Sequence, residues 1–135
     1  MSLDYLKIVS YKGYELNVKR RTKKQRSDKK HTVQALLSPS EKRILNLVMV
    51  EQGENQVVRF VTDTIYNYLH LAITAHDIAA SNRLLHERDG IQVNARLDAE
   101  VYERFRLVQA DRNLTQRALV YILIKKAISI AGYDF

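Results

Sequence analysis

Polar side chains at alternate positions of two short segments have the chemistry to recognise the edges of DNA bases. Gln92, Asn94 and Arg96 are separated by single apolar residues, and the segment 32–37 presents Gln34 in the same way. An arginine bonds guanine bidentately, and an asparagine or glutamine amide bonds adenine bidentately. The two segments are therefore candidate base-reading strands, although a solvated face of any half-buried ribbon shows the same alternation.

The excess of positive charge lies at the start of the chain. Residues 1–31 hold 10 Lys or Arg and 3 Asp or Glu, which accounts for the whole net charge of +7, whereas residues 32–135 hold 12 of each sign. A block of like charges repels itself and is normally disordered in isolation. It is either a solubilising tail or, as we expect, an arm that neutralises phosphates. The basic residues with this expected role are Lys19, Arg20, Arg21, Lys23, Lys24, Arg26, Lys29 and Lys30.

Two predicted helix starts offer further phosphate contacts. The free N–H groups of a first helical turn and the positive end of the helix dipole attract anions. Ordinary capping by Asn55 and Thr115 explains the same residues without any ligand. The expected phosphate-binding residues at these starts are Asn55, Gln56, Thr115, Gln116 and Arg117.

The sequence lacks the motifs of common enzyme classes. It has no cysteine, which excludes disulfides and thiol chemistry, and it has neither a glycine-rich phosphate loop nor an HExxH zinc motif. The four histidines are not spaced to share one helix face, so we interpret them as structural or solvated. We predict a non-catalytic protein without metal, cofactor or small-molecule substrate.

The elements that must position the polar side chains follow the order strand, helix, helix. Residues 32–37 alternate as a strand does, and Ser38 with Glu41 forms a capping box at the start of a helix that ends at Gly53. Asn55 is predicted to cap the second helix. The positions predicted to be buried in these helices are Ile44, Leu45, Leu47, Val48, Val57, Val58, Val61, Ile65 and Leu69.

The same order returns 60 residues later. Residues 91–97 alternate as 32–37 do, Asp98 replaces Ser38 as a helix cap, and Thr115 is predicted to cap the last helix. A single offset for strand, cap and turn argues against coincidence, although the apolar positions of the second helices fit an offset of 61 or 62 better. The positions predicted to be buried here are Phe105, Leu107, Val108, Ala118, Leu119, Ile122, Leu123, Ala127 and Ile130.

These patterns divide the chain into an arm and one domain. The segment from His70 to Arg88 contains no Gly or Pro and is predicted to be helical, either as a continuation of the second helix or as a separate connector. The predicted parts are a basic arm 1–31 with a hairpin at 5–18 and a flexible stretch at 19–31, and a domain 32–135 made of unit one 32–69, connector 70–90 and unit two 91–131.

Length and composition agree with a single mainly α domain. The chain has 135 residues with only 4 glycines and 1 proline, which favours helices over a multi-turn β fold. Its longest apolar run, 118–124, is far shorter than the roughly 20 residues of a membrane span. We therefore expect a cytoplasmic protein with no membrane association.

The repeated unit resembles the ribbon-helix-helix superfamily, the MetJ/Arc group. The segment Gln92-Val93-Asn94-Ala95-Arg96-Leu97, followed by a helix cap and Val101, looks like the DNA-reading ribbon of Arc-type repressors. The resemblance covers 32–69 and 91–131. Family members pair two strands antiparallel in a dimer, so two units in one chain imply an intramolecular pseudo-dimer: a mainly α fold with a short antiparallel β-ribbon.

Such a pairing predicts which side chains share the face away from the helices. With an axis near Gln34 and Asn94, Thr32 lies opposite Arg96. A lone unit cannot cover its own strand, so we expect two units to pair. This argument does not decide whether the two units belong to one chain or to two chains. The implied base-reading residues are Thr32, Gln34, Leu36, Gln92, Asn94 and Arg96.

The resemblance implies sequence-specific binding of double-stranded DNA. The protein would act as a transcriptional regulator or as a plasmid transfer or partition accessory factor, with self-association of modules on DNA. Two alternatives stay open. One is a protein-interaction module of antitoxin type, and the other is a nonspecific nucleic-acid binder that uses the basic arm alone.

Overall fold

The computed structural model describes residues 31–83 and 87–135, so the predicted hairpin 5–18 and the basic residues of the arm lie outside the described residues. The described part is mainly helical, with one two-stranded antiparallel sheet, as expected. A short 3₁₀ helix, Glu87–Asp89, precedes the second strand. The other elements in chain order are β1 (His31–Leu37), α1 (Pro39–Glu51), α2 (Val57–Tyr68), α3 (Ala75–Ser81), β2 (Ile91–Leu97), α4 (Ala99–Arg112) and α5 (Gln116–Ile130).

The two strands pair within one chain, in the register that the sequence suggested. Gln34 lies opposite Asn94, and Thr32 lies opposite Arg96. The strand β1 begins one residue earlier than predicted, at His31, which we had placed in the arm. The imidazole of His31 stacks on the ring of Tyr102 with 4.2 Å between ring centroids, and this contact holds the first residue of the strand in place.

The odd-numbered residues 33–37 and 93–97 form the buried face of the ribbon. The helices α2 and α5 cover this face and contact each other, with α2 packed on β2 and α5 packed on β1. Each of these helices therefore lies against the strand of the other half of the domain. The fully buried ribbon residues are Val33, Ala35, Leu37, Ala95 and Leu97, and Val93 is nearly so.

Three of the four predicted helix caps are confirmed. Ser38 forms a capping box with Glu41, and the side chains of Asp98 and Thr115 accept N–H bonds at the starts of α4 and α5. The cap predicted for α2 is wrong, because Gln56 occupies the N-cap position there and Asn55 precedes it.

The predicted core is largely confirmed, but four residues are exposed instead. Leu47 is 51% and Leu107 is 61% exposed, since each lies two positions from the buried Leu45 or Phe105 and so points to another side of its helix. Val58 in α2 and Ile130 in α5 are also exposed, on the sides of their helices that face away from the core. Ile44, Val57, Val108 and Ala118 are half-buried at the border of the core.

The second helices correspond at an offset of 59, and the offset of 61 or 62 is wrong. The buried residues Phe60, Val61, Thr64 and Ile65 of α2 have counterparts 59 residues later in α5, namely Leu119, Val120, Leu123 and Ile124. Gly53 and Asn113 both have a positive φ, of 73° and 54°, and keep the offset of 60. The turn that follows this left-handed residue is one residue shorter before α5, which moves the whole helix by one position.

The connector is helical only in part. The predicted helical segment 70–88 contains α3 and the short 3₁₀ helix, and residues 84–86 lie outside the described residues. The chain turns after α2, and Thr74 with Asp77 forms a new capping box at the start of α3. The ammonium group of Lys126 lies 3.0 Å from the Asp77 carboxylate and ties α3 to α5.

The difference between Phe105 and Leu107 gives a stability prediction. Phe105→Ala should lower the free energy of unfolding by about 3–5 kcal/mol, because it leaves a cavity in the core. Leu107→Ala, on the exposed side of the same helix, should change it by less than about 0.5 kcal/mol. Urea unfolding followed by circular dichroism measures both. Similar losses for the two variants would contradict the assignment of the buried face.

Candidate nucleic-acid interface

The outer face of the ribbon carries the six predicted base-reading side chains. They form three cross-strand pairs, Thr32 with Arg96, Gln34 with Asn94, and Leu36 with Gln92. Thr32, Gln92 and Arg96 are exposed, and the other three are half-buried. The amide Nε2 of Gln92 donates to Oδ1 of Asn94 at 3.1 Å. The structure thus brings all six onto one surface, at the spacing of neighbouring strand residues.

Leu36 is held more firmly than a freely exposed side chain. A Cβ added at Gly90 would lie 3.2 Å from both Cβ and Cδ2 of Leu36, so Leu36 packs closely against the backbone at Gly90. Glycine leaves the space that this approach needs. The apolar end of the outer face is therefore shaped by the segment that leads into β2.

The two open edges of the ribbon are bonded by side chains of the covering helices. The backbone N–H of Gln34 donates to Oε1 of Gln116 at 3.1 Å. On the other edge, the N–H of Arg96 donates to Oγ1 of Thr62 at 3.0 Å. A two-stranded ribbon leaves such edge groups without strand partners. These bonds fix each strand to a helix and keep the outer face in a defined position.

A second contact orients α2 along β2. The hydroxyl of Tyr66 donates to Oδ2 of Asp98 at 2.9 Å, one helical turn beyond Thr62 and two strand positions beyond Arg96. The helix and the strand therefore run side by side in the same direction. Because a helix rises about 1.5 Å per residue and a strand about 3.3 Å, the start of α2 lies close to the middle of β2.

The two helix starts differ in their chemistry. At α5, Oγ1 of Thr115 accepts from the N–H of Ala118, and Gln116 is bonded to the ribbon. At α2, Oε2 of Glu54 accepts from the N–H groups of Asn55 and Gln56 at 2.9 and 3.0 Å. Both of these N–H groups precede the first helical residue, and no side chain caps α2, but the Glu54 carboxylate places a negative charge just before the helix.

A buried polar cluster lies beside the outer face and was not predicted. Glu41, only 8% exposed, accepts at Oε1 from Arg83 and at Oε2 from the hydroxyl of Tyr121, both at 3.0 Å. Arg83 also donates to the carbonyl of Leu36 and stacks 3.6 Å from the centre of the Tyr121 ring. Burial and the nearby Glu41 carboxylate raise the pKa of Tyr121 to about 12.

The sequence carried only a partial signal for these contacts. Glu41 was recognised as a capping residue, which explains its bond from the N–H of Ser38 but not its burial. The need to satisfy the ribbon edges could have indicated polar residues on the inner side of α2 and α5, such as Thr62 and Gln116. Nothing in the local pattern around Arg83 or Tyr121 pointed to their meeting.

The described residues show no cluster of three or more potential metal ligands. Among those same residues, no helix is long and apolar enough to cross a membrane. The predicted phosphate ligands from Lys19 to Lys30 lie outside the described ranges.

No protein-family model, curated protein or solved structure matches this chain.

The raised pKa of Tyr121 predicts an alkaline loss of stability. The folded state holds the phenol proton more tightly than the unfolded chain, where the pKa is near the ordinary 10.0. The corresponding stabilisation is complete below pH 10 and is lost as the pH rises towards 12, by about 2–3 kcal/mol in all. Urea unfolding of the parent and of Tyr121→Phe should show a smaller loss over this interval in the variant. Equal losses in the two proteins would contradict the assignment.

Proposed function

We propose that this chain binds double-stranded DNA sequence-specifically, with the outer face of the ribbon in the major groove. The observation that carries the proposal is the set of three cross-strand pairs on one face, rich in amide and guanidinium groups. The major groove of B-DNA is about 12 Å wide and admits a two-stranded β-ribbon. The helix contacts at both edges favour this use, because a fixed ribbon loses little conformational entropy on binding.

We infer that the fold is a tandem ribbon-helix-helix pseudo-dimer. Strand, helix and helix occur twice, the strands pair about Gln34 and Asn94, and α2 and α5 lie against each other's strands. In a homodimer of this family each chain supplies one unit, whereas here a single chain supplies both. The unit boundaries 32–69 and 91–131 remain predictions on the same basis.

The outer face has distinct groups for each base. Arg96 is suited to guanine, Asn94, Gln34 and Gln92 are suited to adenine, and Leu36 can contact a thymine methyl group. The bond between Gln92 and Asn94 orders both amides in the free protein, and bonds to a base edge would replace it. Thr32 contributes a single hydroxyl, which discriminates among bases less strongly.

The helix starts would fix the protein on the DNA backbone. Gln116 joins the first turn of α5 to Gln34, so a phosphate bound by Thr115, Gln116 and Arg117 would lie at a set distance from the ribbon. The Glu54 carboxylate accepts from the backbone N–H groups of Asn55 and Gln56, and its negative charge beside the start of α2 opposes a bound phosphate. We therefore propose that the α5 start contributes more to phosphate binding than the α2 start.

The basic arm would supply the sequence-independent part of the affinity. Residues 32–135 carry no net charge, so the attraction to phosphates must come mainly from residues 1–31. We propose that the protein is a non-catalytic cytoplasmic DNA-binding factor, either a transcriptional regulator or an accessory factor of plasmid transfer or partition. Several modules would lie side by side on one site.

Exposed apolar side chains on two helices favour a protein partner as a second candidate function. Leu47 and Val50 on α1 and Leu107 on α4 are exposed apolar side chains. Exposed apolar surface often marks an interaction site, and it suits either neighbouring modules or a toxin-like partner. Recovery of a small protein bound to the purified chain, with no affinity for any duplex, would favour the antitoxin-type module.

Selection of binding sites from a random duplex pool tests the proposal. One strand presents Thr32, Gln34 and Leu36 and the other presents Gln92, Asn94 and Arg96, so the two halves cannot prefer the same bases. We expect a non-palindromic core of a few base pairs. A palindrome centred on one module, or affinity for random duplex and single strands equal to that for the selected site, would contradict the proposal. A palindrome that spans two modules would show that two chains bind as a symmetric pair.

Arg96→Ala should weaken binding to the selected site by about 1–3 kcal/mol and relax the preference at one base position, because it removes a bidentate guanine contact. Thr32→Ala, its cross-strand neighbour, should cost less. Titration of labelled duplexes with each single-position substitution measures both effects. An Arg96→Ala protein with unchanged preference would be inconsistent with base contact by this residue.

Removal of residues 1–30 should weaken binding to all duplexes alike. If the arm neutralises about five phosphates, the slope of log affinity against log salt should fall by roughly 4–5. Binding isotherms at several salt concentrations give this slope for the full chain and the truncated chain. An unchanged slope would place the arm away from the DNA.

A further inference from the structure

The polar cluster around Glu41 has no counterpart in the second half of the domain. Glu41 is the third residue of α1, and the third residue of α4 is the apolar Val101. Tyr121 is the sixth residue of α5, and the sixth residue of α2 is Thr62. Glu41 and Tyr121 therefore both stand at positions where the equivalent residue of the other half is different. The bond between them links the first half to the second.

We propose that the bond from Tyr121 to Glu41 makes the two halves of one chain pair with each other and prevents like halves of two chains from pairing. Both halves have a ribbon strand that needs a partner, so a second copy of the chain could supply an identical strand. The buried bond is satisfied only when the first half meets the second. This inference concerns pairing and holds whether or not the ribbon binds DNA.

Pairing of two first halves would leave Glu41 short of a donor. The Tyr121 position would then be held by Thr62, whose hydroxyl lies next to its Cβ and cannot reach as far as a phenol hydroxyl. The bonds to Glu41 from Arg83 and from the N–H of Ser38 come from the same half or its connector and would be the same in either pairing. The Tyr121 hydroxyl is thus the donor that distinguishes the two arrangements.

Pairing of two second halves would be unfavourable for the complementary reason. Tyr121 is only 4% exposed. In such a pairing its hydroxyl would face Val101 and find no acceptor there. An unsatisfied buried polar group costs more than the bond itself contributes. Pairing of two first halves therefore leaves Glu41 short of one donor, and pairing of two second halves leaves the Tyr121 hydroxyl without an acceptor, whereas the pairing within the chain satisfies both groups.

The register of the ribbon and the absence of cysteine provide a direct probe. Gln34 lies opposite Asn94, so in a pairing of two first halves residue 34 would lie opposite itself. The outward N–H of Gln34 shows that this is a non-hydrogen-bonded pair, in which Cα atoms are about 4.5 Å apart. That separation permits a disulfide. A full chain with Gln34→Cys has a single thiol, and pairing of two first halves brings two of these thiols to the separation of a disulfide.

The experiment compares three proteins that all carry Gln34→Cys. The first has no other substitution, the second also has Tyr121→Phe, and the third has Tyr68→Phe as a matched control. The hydroxyl of the half-buried Tyr68 bonds no described residue, so its loss should not alter pairing. Each protein is unfolded in urea, refolded near the millimolar concentration at which a second chain competes with the linked partner, and oxidised mildly. Gln34→Cys with Asn94→Cys provides the intrachain disulfide as a marker of native pairing.

We expect the Tyr121→Phe protein to give roughly tenfold more disulfide-linked dimer than the other two. Without the phenol hydroxyl, the hydrogen bond to the charged Glu41 no longer makes pairing within one chain more stable than pairing of like halves. Equal amounts of dimer in all three proteins would overturn the proposal, as would extensive dimer in Gln34→Cys alone. If circular dichroism shows that the Tyr121→Phe protein does not fold, a protein with Gln34→Cys and Glu41→Val replaces it. That variant removes the carboxylate that disfavours like pairing of first halves, and unchanged dimer levels there would also overturn the proposal.

Discussion

The fold depends on burying one face of a ribbon that cannot be stable alone. Two antiparallel strands without further packing are marginal in water. The buried residues of this ribbon are all apolar and are covered by α2 and α5, each packed on the strand of the other half. Neither half has the helix that its own strand needs, so the two halves must fold as one unit.

The same packing determines what the outer face can do. Since the apolar residues occupy the odd positions of both strands, the even positions are left together on the other side. The edge bonds from Gln34 and Arg96 to the covering helices then hold those six side chains in a defined frame. A surface suited to reading base edges is thus a direct consequence of how the core is closed.

Departures from symmetry carry much of the specific chemistry. The outer face presents different side chains on its two strands, a carboxylate lies just before α2, and the cluster of Glu41, Arg83 and Tyr121 has no symmetric counterpart. A homodimer would have to repeat each of these features. A single chain can differentiate its halves, and under our proposal this allows both an asymmetric DNA site and selective pairing.

The sequence by itself determined the strands, most helix boundaries and the cross-strand register. These rest on local signals, namely alternation in 32–37 and 91–97, the capping residues Ser38, Asp98 and Thr115, and the repeat of both strands at one offset. The tertiary structure decided that Gln56 rather than Asn55 is the N-cap of α2, that Leu47 and Leu107 are exposed, and that Arg83 and Tyr121 meet at Glu41. Such outcomes depend on the rotation of each helix about its axis and on contacts between residues 42 and 80 positions apart, which no local pattern specifies.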